Sequence, residues 1–342
     1  MAITDPRNIL IIKPSSIGDV VHTMPLWNLL RQRYPKARIS WLVAPACAGI
    51  IDGLPDLRLL RFERKGWAKA WHSPSAAGDL LRFQRDLRRD RYDLVIDVQG
   101  LFRSAWFAFL TGAPVRVGFA NAREFAWLFY THRIPVPTMD QHAVDRYLSL
   151  LPAINCPTAP VEFPFPLTDT HRQAVRALLG DIGPFAVLCP GANWETKRWP
   201  VQRFAELVHP LKDRFGLSCV VAGGPEIVNL ASQIPGATNL CGKTTLMQLA
   251  ALFEAANLVI ANDSGPMHIA CALGRPLVTI FGPTNPIRTG PYGRMETVVR
   301  ANLDCMPCYS RTCTKYNHRC LQELGIEPVL VTAQQQLASW RH

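Results

Sequence analysis

A carboxylate, a hydroxyl and a glycine in a row, Asp263-Ser264-Gly265, follow closely on a short apolar run, Leu258-Val259-Ile260. That run suits a buried strand and is too short for a helix. Asn262 to Gly265 make a polar turn of good helix N-cap residues, and Met267 to Leu273 read as a short helix stopped by Gly274 and Pro276. A second buried strand, Leu277 to Phe281, closes on Gly282-Pro283-Thr284. A strand, capped helix, strand unit puts a polar loop at each strand's carboxyl end, where ligands sit in an open parallel sheet. The free N–H groups of a helix start, and its dipole, suit a phosphate. Asp263-Ser264-Gly265 therefore reads as a cradle for a nucleotide diphosphate; the same triplet also caps ordinary helices, and both readings stand.

A second candidate lies near the start of the chain. Asn8 to Ile12 is an apolar strand, and Lys13-Pro14-Ser15-Ser16-Ile17-Gly18-Asp19 is the loop at its end. One glycine stands where a dinucleotide fingerprint needs three, so the loop is of another kind. It sets Ser15, Ser16 and Asp19 at a strand's carboxyl end. Taken together, the strand-end loops of the second half offer Lys197, Glu226, Asp263, Ser264, Gly265 and His268, a set suited to a nucleotide. Those of the first half offer Asp19, Ser15, Ser16, Gln99 and several arginines, a set suited to an anionic acceptor with a carboxylate poised as base. Group transfer from a nucleotide-activated donor is the natural chemistry. A base must reach the proton it removes, so two lobes carrying these sets are expected to close on each other.

The elements that would position these loops alternate strand and helix throughout. Val20 to Tyr34 has helical spacing and stops at Pro35, and Ile39 to Val43 is the next strand. Leu80 to Arg89 reads as a basic helix, Asp93 to Val98 as a strand ending in Gln99-Gly100, and Leu101 to Leu110 as a helix. The aromatic run Phe119 to Tyr130 fits either a core segment or a surface facing a membrane or an acceptor. Residues 152 to 168 contain five prolines and little periodicity, which marks a linker. After it the pattern restarts with strand Phe185 to Cys189, helix Val201 to Phe215, strand Ser218 to Val221 and helix Thr245 to Ala255. The expected architecture is α/β, with two Rossmann-like doubly wound lobes, residues 1–160 and 161–342, and a cleft between them.

Bulk properties narrow the partners. A chain of 342 residues is most economically two domains. No apolar run approaches the ~20 residues that span a bilayer, and the N-terminal sequence does not read as a signal peptide, so a cytoplasmic protein is expected. Net charge is +11, and residues 1–160 carry 21 Lys and Arg against 13 Asp and Glu. A basic first lobe points to nucleic acid, an anionic membrane surface or a phosphorylated substrate, or is simply a solvated face. No nucleic-acid-binding motif is present, so nucleic acid is not expected as a partner.

Asn262-Asp263-Ser264-Gly265-Pro266-Met267-His268, with Phe281-Gly282-Pro283-Thr284 after it, resembles the signature of glycosyltransferase family 9, the ADP-heptose:lipopolysaccharide heptosyltransferases. Lys13 to His22 resembles that family's N-terminal motif. The segments Asp97 to Gly100, Ala122 to Glu124 and Gln141 to Arg146 are similar to the branch that adds the first heptose to Kdo–lipid A. The resemblance implies a GT-B fold and an inverting transfer with no required cofactor or metal. It implies Asp19 as general base. On the donor side it implies Lys197 and the Ser264-Gly265 backbone at the diphosphate, Asp263, Met267 and His268 along the sugar and phosphate pocket, Glu226 at the ribose, and Asn193 beside them. Ser15, Ser16, Gly18, Arg64, Lys65, Gln99, Arg123 and Arg146 would hold the acceptor. The implied partners are ADP-heptose, Kdo–lipid A and the cytoplasmic face of the inner membrane.

The chain departs from that branch in three places. Ala192-Asn193 stands where threonines precede the lysine, and Arg64-Lys65-Gly66 replaces a pair of arginines. The third departure is the run Cys305, Cys308, Cys313 and Cys320 with His318, which resembles the tail of other family members. Four thiolates at that spacing suit structural zinc, and reduced packing cysteines are the other reading; a cytoplasmic location disfavours disulfides. The remaining six cysteines, scattered among apolar runs, look like buried small hydrophobes. Two rivals stay open: a family-9 transferase with another donor or acceptor, and a non-catalytic nucleotide-sugar or lipid binder.

Overall fold

The computed structural model describes residues 5–63, 73–136, 138 and 140–340. The chain divides into two compact units, residues 1–166 and 167–342. The boundary falls inside the proline-rich segment, at Pro166 rather than at residue 160.

The first unit is built on six parallel strands: β1 (Asn8–Ile12), β2 (Arg38–Val43), β3 (Leu57–Arg61), β4 (Leu94–Asp97), β5 (Val115–Phe119) and β6 (His132–Ile134). They lie in the order β3-β2-β1-β4-β5-β6, with Ile11 opposite Trp41 on one side and Ile96 on the other. β1 has neighbours on both edges and buries Ile9 to Ile12 completely, which is why it reads as apolar sequence. The order reverses between β1 and β4, and at such a switch point the loops leaving adjacent strands diverge and open a crevice. The loops after β1 and β4 carry Lys13 to Asp19 and Val98 to Gly100.

The second unit repeats the plan. Its strands are β7 (Phe185–Cys189), β8 (Ser218–Val221), β9 (Thr238–Asn239), β10 (Leu258–Asn262), β11 (Leu277–Phe281) and β12 (Val298–Arg300). They are parallel in the order β12-β11-β10-β7-β8-β9, so the switch point lies between β7 and β10. The helix Glu327–Trp340 buries Val329, Leu330 and Ala333 against this sheet, in one core with Trp199, Phe204 and Leu207.

Element boundaries shift where caps decide them. The helix expected from Leu80 starts at Pro74, because the Ser73 hydroxyl accepts the Ala76 N–H and Pro74 suits the first turn. The helix after β10 runs Gly265–Ala272. The aromatic run 119–130 is divided between core and surface: Ala126 and Tyr130 are buried, while Phe125 and Leu128 are exposed. No helix among the described residues is long and apolar enough to cross a membrane.

Candidate functional site

In the first unit the site is built around Asp19, three residues into the helix Ile17–Arg33. Its Oδ2 accepts the Ser16 N–H at 2.9 Å and the Ser16 hydroxyl at 2.8 Å, so this carboxylate does cap its helix. Its Oδ1 accepts the Tyr147 hydroxyl at 2.7 Å and faces the Lys13 ammonium at 3.3 Å. The two oxygens thus have separate partners, the helix cap on Oδ2 and Tyr147 with Lys13 on Oδ1. Lys13 is buried beneath the carboxylate and also lies 4.9 Å from the centre of the Tyr147 ring.

The electrostatics follow from these contacts. Burial alone would raise the Asp19 carboxyl, but the Lys13 ammonium, the Ser16 N–H and the Tyr147 hydroxyl outweigh it and hold it well below the usual carboxylate range. Burial opposes the charge on Lys13, and Asp19 and Tyr147 overcome that too. Burial and the Asp19 charge push the Tyr147 phenol up. The outcome is an ionised carboxylate, a charged lysine and a protonated tyrosine. Asp19 remains 33% exposed, enough for a substrate hydroxyl to reach it.

The neighbouring loop is held by Asp97, fully buried at the end of β4. Its carboxylate accepts the Gln99 and Gly100 N–H groups and the Tyr130 hydroxyl. Burial raises its pKa against the pull of those donors. The Tyr130 ring fits only because Gly118 lacks a side chain: a Cβ there would come within 2.3 Å of the ring. The Gln99 side-chain oxygen is buried and takes no hydrogen bond among the described residues, a reserved acceptor in this loop. Ser15 is exposed, Gly18 is buried, Arg123 is exposed and Arg146 lies 5.4 Å from the centre of the Tyr147 ring. Arg64 and Lys65 lie outside the described residues.

In the second unit the loop after β7 and the turns after β10 and β11 converge. Lys197 Nζ stands 2.7 Å from Asp263 Oδ2, and the Thr284 hydroxyl donates to the same oxygen. Asp263 is buried and Lys197 only 17% exposed. The Lys197 ammonium also lies 4.8 Å from the centre of the Trp194 ring, and the Arg311 guanidinium lies 5.0 Å from that same centre. One indole therefore collects two cations. Asn262 fixes the loop from below: its amide donates to the Pro190 carbonyl at 2.8 Å and its oxygen accepts the Trp199 N–H at 3.2 Å.

At the start of the helix Gly265–Ala272, the Ser264 hydroxyl is buried and takes no partner among the described residues. Pro266 has no N–H, so Gly265 and Met267 supply the free donors of the first turn. Met267 is fully enclosed, backbone included, so Gly265 is the donor of that turn with exposed surface. His268 is buried and held by its surroundings. Glu226 and Asn193 are exposed, and the Glu226 carboxylate folds over Gly224, where a Cβ would meet it at 2.2 Å. A lysine, a helix start and an unpartnered hydroxyl are groups whose chemistry suits a diphosphate.

Cys305, Cys308, Cys313 and Cys320 line one cavity of about 410 Å³ together with His318 and Thr196. All are free thiols, and among the described residues no three His, Cys, Asp or Glu side chains are placed to hold a metal ion. Burial, and then the neighbouring Cys308, Cys305 and Cys313 thiols, push the Cys320 thiol up. The loop packs on the lysine loop, with the Thr196 hydroxyl donating to the Ser310 carbonyl at 2.8 Å.

Sequence reasoning singled out Asp19, Lys197, Asp263 and Ser264 as candidates. It assigned no role to Lys13, Tyr147, Asn262, Thr284 or Arg311. Lys13 and Asn262 stood inside motifs already singled out, and a buried polar residue there was the available signal.

Comparison with known proteins bears on the same residues. The model of glycosyltransferase family 9 (heptosyltransferase) matches residues 80–318. Lipopolysaccharide heptosyltransferase 1 of Pseudomonas aeruginosa is 32% identical over 318 residues, covering 90% of this chain and 87% of that one. Lipopolysaccharide heptosyltransferase 1 of Escherichia coli K12 is 30% identical over 304 residues, covering 86% and 93%. Among solved structures, E. coli heptosyltransferase WaaC with ADP superimposes with a TM-score of 0.77 at 28% identity, covering 96% of this chain and 99% of that one. WaaC with ADP-2-deoxy-2-fluoro heptose gives 0.76 at 27%, with the same coverage.

Proposed function

Because the chain belongs to glycosyltransferase family 9, we propose that it transfers heptose from ADP-L-glycero-D-manno-heptose to the Kdo–lipid A inner core, with inversion at the anomeric carbon. The observation that carries the reading is the pairing of two sites: an ionised, reachable Asp19 in the first unit and the Lys197–Ser264 phosphate site in the second. ADP and ADP-heptose analogues are the ligands named for the WaaC structures.

In this mechanism Asp19 accepts the proton of the attacking acceptor hydroxyl through Oδ1. The hydroxyl oxygen forms the new bond to the anomeric carbon on the face opposite the leaving group, and the bond to ADP breaks. Charge develops on the departing diphosphate, where the Lys197 ammonium and the Gly265 N–H stabilise it. Lys197 has three N–H donors, so it can keep Asp263 and still meet a phosphate oxygen. An aspartate held far below its ordinary pKa is a weak base. It suits a reaction whose hydroxyl becomes acidic only once its oxygen is bonded to carbon. Glu226 would face the adenosine ribose. Arg123, Arg146 and Gln99 would hold acceptor phosphates and carboxylates, and the lipid-anchored acceptor would bring the protein to the inner face of the cytoplasmic membrane. The reaction is proposed to need neither metal nor cofactor.

Incubation with ADP-heptose and Kdo₂–lipid A, followed by mass spectrometry, tests this. The expected product is heavier by one heptose residue, formed equally well after chelator treatment. A product only with another nucleotide sugar, or only with an acceptor already carrying heptose, would move the chain elsewhere in the family; no transfer at all would leave a binder.

A further inference from the structure

The helix Phe102–Leu110 and the single turn Ala126–Phe129 pack together in the first unit. Their common outer face is aromatic. Phe129 lies 5.5 Å from Phe102, 5.7 Å from Trp106 and 5.7 Å from Phe109, and Trp106 stacks on Phe109 at 5.6 Å. Beneath these rings Ala105, Ala126 and Tyr130 form a small buried cluster. The rings above it are not buried: Phe125 is 70% exposed, Leu128 55%, Phe102 49% and Phe109 47%. Phe102, Trp106 and Phe109 meet on Phe129, and Phe125 and Leu128 stand exposed on the same short turn; side chains that large left half in water form an apolar plate of the kind that marks an interaction surface.

The charges around the plate say what it meets. Residues 101–134 carry four arginines, at 103, 116, 123 and 133, against one carboxylate, Glu124. That carboxylate is engaged by the Phe102 N–H at 3.1 Å. The Arg116 guanidinium lies 5.8 Å from the Phe109 ring centre, and that of Arg133 lies 4.9 Å from the Trp127 ring centre. Trp and Phe at an apolar–aqueous boundary, rimmed by arginine, match a bilayer interface with anionic headgroups.

We propose that this plate, Phe102, Trp106, Phe109, Phe125 and Leu128, seats the first unit on an anionic lipid bilayer, its rings entering the headgroup boundary and its arginines pairing with lipid phosphates. The inference rests on the lipid-anchored acceptor proposed above and adds the contact surface. Charge alone would give binding that salt abolishes. Inserted rings leave a remainder that salt does not remove.

The test compares the wild-type protein with a Trp106→Ser, Phe125→Ser, Leu128→Ser triple variant in sedimentation with phosphatidylglycerol–phosphatidylethanolamine vesicles, at low and high salt. Wild type is expected to bind and to keep part of its binding at high salt. The variant should lose about tenfold or more in vesicle affinity, with unchanged melting temperature and unchanged transfer to a deacylated acceptor. Equal vesicle binding by both proteins overturns the proposal. So does a wild-type dimer that the variant dissolves, without vesicle binding, since the plate would then pair two copies of the chain. If the plate governs vesicle binding but wild type transfers nothing to the deacylated acceptor, the bilayer contact stands and the transferase reading falls.

Discussion

The Lys13 ammonium faces Asp19 Oδ1 at 3.3 Å, and the Tyr147 hydroxyl donates to that same oxygen at 2.7 Å. The atom proposed to take the substrate's proton is therefore already contested by two donors. It can act only if an incoming hydroxyl displaces one of them, and Tyr147 is the neutral, cheaper one to displace.

Asp19→Asn should lower the transfer rate by ~10²–10⁴ while leaving ADP affinity unchanged, because the amide keeps an oxygen for the helix cap but cannot take the proton. Rate and ADP titration measured on one preparation check this. Near-normal transfer by the folded variant would remove Asp19 from the chemistry.

Lys13→Gln should move the acidic limb of the kcat/KM profile to higher pH. Without the ammonium, burial is opposed by the Ser16 and Tyr147 donors and the nearby His22 alone, and the Asp19 pKa rises. Stability should follow the same linkage. In wild type the depressed carboxyl contributes stability above its unfolded pKa of about 3.9, lost as pH falls through the lower folded value. The variant's deficit in melting temperature should therefore be full near neutral pH and shrink in strong acid.

Lys197→Met leaves Asp263 buried with the Thr284 hydroxyl as its remaining partner. Removing one member of a buried pair costs about 3–5 kcal/mol. A fall in melting temperature and a raised KM for ADP-heptose are expected together. Adding Asp263→Asn should restore much of the stability and none of the donor affinity, which separates the two roles.

Asn262→Ala should weaken donor binding without touching the donor. It orphans the Trp199 N–H and the Pro190 carbonyl, at ~1–3 kcal/mol for each buried group left unsatisfied. Thermal unfolding and ADP titration report the two effects.

Thiol reactivity should be graded. Backbone N–H groups of His318, Tyr316 and Lys315 pull the Cys313 thiol below its ordinary value. Burial pushes Cys47, Cys156, Cys219, Cys241 and Cys271 up to about 11. Limited alkylation at neutral pH, read by peptide mass spectrometry, should label Cys313 before any of those five; uniform labelling would contradict the assignment.

The double α/β plan was legible because β1, β7, β10 and β11 are buried on both faces and must be written in apolar residues. Asp19 and Ser264 were legible because a helix start after such a strand names its own loop. Tyr147 was not, for it reaches Asp19 across 128 residues, and no local pattern encodes that contact. The start of the helix at Pro74 was missed because its first turn carries no apolar periodicity, only a serine cap. The aromatic run 119–130 stayed ambiguous because composition does not tell a plate from a core; the left-handed backbone at Glu124 and Phe125 turns the chain so that one side of it faces out.

The Trp199 indole donates to the Leu324 carbonyl at 2.8 Å, and the helix that follows packs its buried face on the same core. The loop that carries Lys197 is thus locked by chain translated more than a hundred residues later. A ribosome stalled before Leu324 would carry β7, β10 and β11 without the carbonyl that holds Trp199, so this loop gains its full support only once translation has passed that point.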